Sequence, residues 1–199
     1  LVPLSIHSFR EPNMDGAEVS SSGEWTGKKA EKEVLEVVGD VVEKYLKDGQ
    51  GQTFICFAWN IAHANELARQ FLAAGINVAT YTANDLPEDR HESVIEFQKE
   101  DSSIRGLISV VALSRGFDNS RVSLLIDARP LRKALHEYVQ MIGRVMRTHP
   151  GKEKSTVYDH SGNAVRFWQG WNDLFENGVR ELDDGKKKPK QQAEKKQPE

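Results

Sequence analysis

Cysteine is nearly absent from this chain of 199 residues, which contains Cys56 alone. One cysteine cannot form an internal disulfide or a structural zinc site, and its place in the apolar run TFICFA favours a buried small hydrophobe over a catalytic thiol. Long apolar runs are also missing: none approaches the roughly 20 residues that cross a bilayer. Charged residues interrupt the N-terminal stretch as well. We therefore expect a cytoplasmic protein with no membrane segment.

An excess of positive charge is lacking too. The chain has 27 Lys and Arg against 30 Asp and Glu, which gives a net charge of −3. Six of the lysines lie from Gly185 onward, so the rest of the chain is more acidic, at −7. Nucleic-acid binding therefore cannot be inferred from overall charge and needs a local arrangement of cations.

Motifs that hold a nucleotide or a metal by themselves are missing. The phosphate loop G-x-x-x-x-G-K-[ST], the dinucleotide fingerprint and a D-E-x-[DH] run for magnesium do not occur. The sequence D-H-S at 159–161 contains the residue types of a catalytic triad. Consecutive residues on a strand point to opposite faces, however, so we expect that these three side chains do not converge.

Helical and strand-like patterns alternate along the chain. Apolar residues recur with a helical period in four segments, and short apolar or β-branched runs between and after them indicate strands. The predicted helices are 28–47, 61–75, 85–100 and 131–147, and the predicted strands are 53–58, 77–82, 104–113, 122–128 and 155–160. Asp85 is the expected N-cap of the third helix, with Pro87 in its first turn. This alternation predicts an α/β fold with a mostly parallel, doubly wound sheet flanked by helices.

The two ends of the chain differ from the middle. Residues 1–27 form a loop-rich N-terminal segment with one short strand expected at LSIHSF, and 28–180 form the main domain. Residues 181–199 are a Lys-rich tail with little apolar content, which we expect to be disordered. Because the chain begins at Leu1 and not at methionine, we expect it to be a processed product or part of a longer protein.

Polar side chains follow the predicted strands, and in an open parallel sheet ligands bind at the carboxyl ends of the strands. These side chains are candidate nucleic-acid contacts, although each residue type is equally common as a turn or cap residue. The candidates are Asn60, Thr82, Asn84, Ser109 and Arg129.

One face of the last long helix carries an amide and two guanidinium groups. At about 100° per residue, Gln140, Arg144 and Arg147 fall within roughly 60° of one another, and Gly143 beside them leaves room for a close neighbour. No acidic residue lies three or four positions from either arginine. A solvated face is one interpretation. The other is a phosphate site, since neighbouring arginines repel unless they share an anion and suit phosphate oxygens.

These stretches resemble the conserved motifs of superfamily 2 helicases. RGFD at 115–118 and QMIGRVMR at 140–147 match motifs V and VI, whose patterns are approximately R/E-G-x-D and Q-x-x-G-R-x-x-R. Residues 53–75 resemble the motif IV strand and helix, and 81–98 resemble the segment that follows it. Among the DEAD/DEAH-type proteins, residues 127–147 and 157–167 most resemble the RadD-like and phage-type DNA helicases. The resemblance covers residues 1–168.

The resemblance implies a C-terminal, second RecA-like domain of an ATP-driven DNA motor. ATP would lie between this domain and an N-terminal RecA-like domain that carries the phosphate loop and the Mg²⁺ ligands. Arg147 would be the arginine finger and Arg144 its companion on the γ-phosphate, while Gln140 would sense that phosphate or the attacking water. Asp118 would contact the ribose, and Gly116 would keep its loop close to the cleft. This chain alone would then be inactive.

Three points stay open at this stage. Val110 stands where motif V often begins with threonine, so a nucleic-acid contact there would come from Ser109, Ser114 or main-chain amides. DNA is favoured only through the RadD-like resemblance, and RNA is compatible with the same residues. The alternatives to a helicase are a non-hydrolysing module that binds nucleic acid or protein, and a restriction-type translocase that moves along duplex DNA without separating its strands.

Overall fold

A computed structural model describes residues 1–110 and 119–178 of the chain. Eight strands are numbered in chain order, and six of them form one sheet in the order β1-β8-β7-β4-β6-β5, in which every pairing is parallel. The predicted α/β class with a parallel, doubly wound sheet is confirmed. The strands are β1 (Leu4–Ser8), β2 (Glu18–Val19), β3 (Trp25–Thr26), β4 (Phe54–Ala58), β5 (Val78–Tyr81), β6 (Gly106–Ser109), β7 (Leu124–Ala128) and β8 (Ser155–Asp159).

Helices connect the strands and cover both faces of the sheet. The single helix predicted over 28–47 is in fact three pieces, because α1 ends at a cap at Val37 and α2 continues into a π-helical segment, Tyr45–Gly49. A Cβ at Gly49 would lie only 2.9 Å from the Tyr45 ring and 3.1 Å from Leu124. The helices are α1 (Gly27–Glu36), α2 (Val38–Lys44), α3 (Ile61–Ala73), α4 (Pro87–Gln98), α5 (Leu135–Val145), α6 (Asn163–Arg166) and α7 (Trp168–Asn177).

The sheet separates two hydrophobic cores, because alternate residues of each strand point to opposite faces. In β4, Phe54 and Cys56 face the core under α2 and α3, whereas Ile55 and Phe57 face the core under α4 and α5. Cys56 is fully buried, and burial raises the pKa of its thiol well above the ordinary range. Its expected role as a buried small side chain therefore agrees with its position.

The predicted apolar face of α5 packs against the second core. Tyr138, Met141, Ile142 and Val145 are all buried, with exposures of 1% or less. Because these residues recur every three or four positions, one side of α5 is fixed to the sheet and the other side is left to polar residues. The sequence pattern therefore oriented this helix correctly.

The N-terminal segment is bound to the main sheet. Its strand β1, predicted at LSIHSF, pairs with β8 in the register Leu4↔Ser155 and forms one edge of the six-stranded sheet. Its antiparallel pair β2–β3 leads directly into α1. Residue 28 therefore lies at the beginning of α1 and does not mark an edge of the fold.

The start of α4 differs from its prediction. Its cap residue is Leu86 and Pro87 is its first residue, as proline in the first turn favours. Asp85, the expected N-cap, instead accepts hydrogen bonds from the Thr82 amide at 2.6 Å and the Thr80 hydroxyl at 3.3 Å. The N-cap prediction is wrong because this carboxylate closes the turn after β5.

None of the helices in residues 1–110 and 119–178 is both long and apolar enough to span a membrane.

Candidate functional site

The end of α5 carries the candidate phosphate-binding side chains. Gln140 is exposed and Arg144 is half-buried, and their spacing of four residues places them on one face of the helix. The helix ends at Val145 with Met146 as its cap, so the predicted helix over 131–147 is too long. Arg147 is half-buried but lies in the following loop, and the expected block of three groups on one helical face is therefore wrong for Arg147.

Groups from outside the helix hold the α5 C-terminus. The Val145 carbonyl accepts hydrogen bonds from the Ser155 hydroxyl and from the Lys152 ammonium, and the Met146 carbonyl accepts one from the Val2 amide at 2.9 Å. These donors satisfy carbonyls that a helix end leaves without intrahelical partners. The segment that carries Arg147 is thus held by Ser155 of β8, by Lys152 in the turn between Arg147 and β8, and by Val2 of the N-terminal segment.

The three residues just before α5 are held by a residue more than 100 positions earlier. The Glu24 carboxylate accepts hydrogen bonds from the backbone amides of Arg132, Lys133 and Ala134 at 2.6, 2.8 and 3.1 Å. The helix has no side-chain cap of its own, since its cap residue is Ala134. A carboxylate is well suited to this position because amide donors and the helix dipole both favour negative charge.

A buried polar network occupies the carboxyl ends of β7 and β8. The Ser161 hydroxyl lies 2.9 Å from Asp127 Oδ2 and 2.6 Å from Asp159 Oδ1, and the Asn163 amide donates to Asp127 Oδ2 at 2.9 Å. All four residues are fully buried. Burial and, to a smaller extent, the nearby Asp159 charge raise the pKa of Asp127 to about 8. Burial and the facing carboxyl group therefore favour the protonated form of Asp127.

The three side chains of residues 159–161 do not converge, as expected, but two of them, Asp159 and Ser161, do meet. Because β8 ends at Asp159, Ser161 leaves the strand geometry and its side chain turns back to meet Asp159. His160 does point elsewhere: its ring stacks on Phe9 with centroids 4.9 Å apart, and burial lowers its pKa to about 4. The Asn163 amide also donates to the Arg129 carbonyl at 2.8 Å. The network thus joins the loop before α5 to the loop after β8.

Two of the candidate nucleic-acid contacts have clear structural partners. Asn60 caps α3, since its side-chain oxygen accepts from the His63 amide at 2.8 Å, and its Nδ2 donates to Glu31 at 3.1 Å. Arg129 is paired with Glu137 of α5 at 2.7 Å between Nη1 and Oε2. Asn60 is therefore a helix cap, which is the alternative role that its residue type also predicted.

The other described candidates differ in accessibility. Thr82 is 4% exposed and Ser109 is fully buried, so their side chains would need a local rearrangement to contact a nucleic acid. Asn84 is exposed in the turn after β5, where its amide donates to the Thr82 hydroxyl at 3.3 Å. The predictions for Ser114, Gly116 and Asp118 lie outside the described residues. Strand-end position alone therefore did not distinguish exposed from buried groups.

His63, whose amide the Asn60 side chain caps, is fully buried. Its Nδ1 accepts a hydrogen bond from the Trp59 amide at 3.2 Å, and desolvation lowers its pKa to about 4. The spacing of Ala64, Leu67 and Phe71 gave the buried face of α3, and His63 directly adjoins that face. For a possible metal, no cluster of three or more His, Cys, Asp or Glu side chains with suitable placement occurs within the described part of the chain.

The six parallel strands with helices on both faces define a RecA-like α/β domain. The two arginines at the end of α5 lie in the region that matches the helicase conserved C-terminal domain, residues 36–149. This match covers more than half of the chain, and the chain belongs to that family of superfamily 2 helicase domains.

Individual relatives are similar over most of this chain. A 51.5 kDa protein of a Lactococcus phage (isolate 7-9) is 26% identical over 185 residues, which cover 89% of this chain and 40% of the phage protein. The chain therefore spans less than half the length of this relative.

Solved structures show the same fold. A fragment described as an HsdR subunit of a type I restriction enzyme from Vibrio vulnificus YJ016 has a TM-score of 0.63 at 20% identity, covering 89% of this chain and 35% of that one. Domain 2 of the DEAD-box helicase Mss116p, bound to an RNA duplex, has a TM-score of 0.57 at 16% identity, covering 89% and 61%. At these identities the similarity establishes the fold alone.

Proposed function

We propose that this chain is the C-terminal motor domain of an ATP-dependent DNA helicase or translocase. The observation that carries the proposal is the group of Gln140, Arg144 and Arg147 at the end of α5, within the region that matches the helicase family. The domain would supply these groups to an ATP site shared with an N-terminal RecA-like domain. By itself it would bind nucleic acid weakly and would not hydrolyse ATP.

The chemistry of the α5 terminus fits a nucleotide phosphate. Arg144 and Arg147 are partly exposed, and guanidinium groups form paired hydrogen bonds with phosphate oxygens. ATP supplies the phosphoryl group that is transferred to water. Arg147 would stabilise charge on the γ-phosphate, Arg144 would orient it and Gln140 would contact the phosphate or the attacking water. Gly116 and Asp118 would contact the nucleotide as the family resemblance implies.

In this proposal Mg²⁺ would bind at the ATP site that the two RecA-like domains share. The described residues form no carboxylate cluster that could hold a metal, and Asp127 and Asp159 are committed to a buried network. We therefore assign the Mg²⁺ ligands to the N-terminal RecA-like domain. This chain would act on the opposite side of the phosphates, through its arginines.

The proposed nucleic acid is DNA. The proposed location of the protein is the cytoplasm. Asn84 is the exposed candidate for contact, Arg129 would have to leave Glu137, and Asn60, Thr82 and Ser109 would contribute through main-chain groups or after rearrangement. Ser114 stays a candidate from its place in the sequence. The similarity to the HsdR fragment of a restriction enzyme supports a DNA motor. The similarity to an RNA-bound DEAD-box domain supports RNA, so the nucleic acid must be tested directly.

The test is the ATPase activity of the full-length protein with single-stranded DNA, duplex DNA and RNA of matched sequence. We expect DNA to stimulate hydrolysis, and we expect Arg147→Ala to lower kcat by about 10³-fold or more while ATP binding stays within a few fold. Arg69→Ala is the matched control, because Arg69 lies exposed on α3 and pairs with Glu66. Undiminished turnover in Arg147→Ala would disprove the finger assignment.

The restriction-type translocase is the second candidate, favoured by the HsdR similarity over 89% of this chain. It predicts displacement of a third strand from a triplex without separation of a duplex. A helicase separates the duplex in the same buffer. A protein that binds nucleic acid without any stimulated hydrolysis would instead be the non-hydrolysing module.

A further inference from the structure

Lys152 occupies a turn directly after the candidate arginine finger. The turn comprises residues 149–152: the Lys152 amide donates to the His149 carbonyl at 3.0 Å, Pro150 is the second residue, and Gly151 has φ +78°. Proline followed by a residue with positive φ is the pattern of a type II turn. The turn reverses the chain after Arg147 and directs the Lys152 side chain back beneath the end of α5.

The Lys152 ammonium donates to three backbone carbonyls from two segments. Nζ lies 2.6 Å from the Val145 oxygen, 2.6 Å from the Val122 oxygen and 2.9 Å from the Ser120 oxygen. An ammonium has three N–H donors, so these bonds use all of them. Val145 is the last residue of α5, whereas Ser120 and Val122 lie between the motif V residues and β7.

We infer that Lys152 is a positioning residue that fixes the end of α5, and with it the two motif VI arginines, relative to the segment that leads into β7. Arg144 directly precedes Val145 and Arg147 follows two residues later, so a shift of the Val145 carbonyl moves both guanidinium groups. On the other side, Ser120 follows Asp118, the candidate ribose contact, by two positions. One side chain therefore connects the segment that carries the candidate phosphate contacts to the residues just before β7.

The charge of Lys152 suits this role. The carbonyls at the end of a helix carry partial negative charge, which a cation at this position stabilises. Burial lowers the pKa of Lys152 to about 8, which leaves the ammonium as the main form at neutral pH. Ser155 and Val2 also hold residues 145 and 146, but neither reaches the segment before β7.

The inference rests on the proposed function, because positioning has a catalytic effect only if Arg147 acts on ATP. The variant is Lys152→Met in the full-length protein, with Lys154→Met as the matched control, since Lys154 is an exposed lysine two residues later. Should Lys152→Met fail to fold, Lys152→Gln serves instead because it keeps N–H donors. ATP turnover, the KM for ATP and nucleic-acid affinity are measured well below the melting temperature.

We expect Lys152→Met to lower kcat about tenfold or more, because small displacements of a catalytic group have effects of this size. The KM for ATP and the nucleic-acid affinity should stay within about twofold, and amide hydrogen exchange at 147–149 should accelerate while exchange in α3 stays unchanged. A purely structural role would lower the folded fraction and leave the kcat of folded protein intact. Lys154→Met should match the parent throughout.

Arg147→Ala in the same assay separates the two possible failures. If Arg147→Ala abolishes turnover and the Lys152 variant has the parental kcat, the positioning inference is wrong and the proposed function stands. If Arg147→Ala turns over like the parent, the proposed function fails and the inference fails with it.

Discussion

Asp127 and Asp159 lie opposite each other on adjacent strands, and the Ser161 hydroxyl group bridges them. Asp159 also accepts hydrogen bonds from the backbone amides of Ser161 and Ala164, both at 2.9 Å. Two carboxylates in one buried space disfavour double ionisation, because each charge opposes the other. One proton held on Asp127 therefore becomes part of the folded structure.

Stability should fall with rising pH because of this proton. The pKa of Asp127 is raised from 3.8 to about 8 in the folded state, so its contribution to stability is fully present below about pH 4 and is lost as pH rises towards 8. Asp127→Asn mimics the protonated form and should remove this loss, which amounts to up to roughly 1 kcal/mol per pH unit. Urea unfolding of parent and variant at about pH 5 and about pH 8 measures the difference. Parallel stability changes in the two proteins would contradict the assignment of the proton to Asp127.

Glu24→Ala should destabilise the domain through α5. Three backbone amides lose a charged acceptor, which costs about 1 to 3 kcal/mol in unfolding free energy. Glu24→Gln keeps one oxygen acceptor and should recover part of the loss, while Glu92→Ala, on the exposed side of α4, is the control. Equal stability of Glu24→Ala and Glu92→Ala in urea unfolding would show that the Glu24 hydrogen bonds contribute nothing.

Gly106→Ala should strain the sheet core. A Cβ at this position would lie 2.1 Å from Phe54 Cζ, and the Phe54 ring is confined by Tyr45 and Phe71 at centroid distances of 4.6 and 5.0 Å. Overpacking of this kind costs about 1 to 3 kcal/mol. Thermal unfolding of the variant should show a corresponding loss, and an unchanged melting temperature would mean that the ring can move aside.

Gly143→Ala makes an informative contrast with Gly106→Ala. Nothing lies within 4 Å of a Cβ built at Gly143, which is a residue of α5. Alanine in a helix is more favourable than glycine by about 1 kcal/mol, so this variant should be more stable. If the N-terminal domain approaches the backbone here, turnover of the full-length protein should nevertheless fall severalfold. A variant that is more stable and fully active would place that contact elsewhere.

Asn60→Ala should destabilise α3 by about 1 kcal/mol through loss of its N-cap. Asn60→Ser keeps an oxygen that can accept from the His63 amide, so its stability should stay within a few tenths of a kcal/mol. The nucleic-acid affinity of the two variants then tests whether Asn60 also contacts nucleic acid. An equal loss of affinity in both would indicate direct contact, and parental affinity in Asn60→Ser would indicate the cap alone.

The sequence predicted those features that depend on local periodicity. The buried side of α5 follows from Tyr138, Met141, Ile142 and Val145, and the alternation of elements was sufficient for the parallel sheet. The order and spacing of the helicase motifs indicated the family without any information on contacts. These signals are local because they depend on residues within a few turns of one another.

Long-range polar partners could not be predicted in the same way. Arg147 was placed on the helix because the nearest sequence signal that ends a helix, Pro150, lies three residues later. In the structure the Val145 carbonyl already accepts from Lys152 and Ser155 instead. The carboxylate that holds the residues before α5 comes from Glu24, more than 100 positions away. Asp127 was missed because it is the penultimate residue of an apolar strand, and its polar partners Ser161 and Asn163 belong to another connection. Such contacts depend on the tertiary fold, which the pattern of a single segment does not contain.

The pairing of β1 with β8 has a consequence for synthesis of the protein. These neighbouring strands are about 150 residues apart in sequence, yet β8 lies between β1 and β7 in the sheet. A growing chain must therefore keep β1 unpaired until β8 has left the ribosome. Contacts of such large sequence separation form late and slow folding. Completion of this sheet edge is thus a late step, and the Met146 carbonyl, which bonds to the amide of Val2 beside β1, reaches its final environment only then.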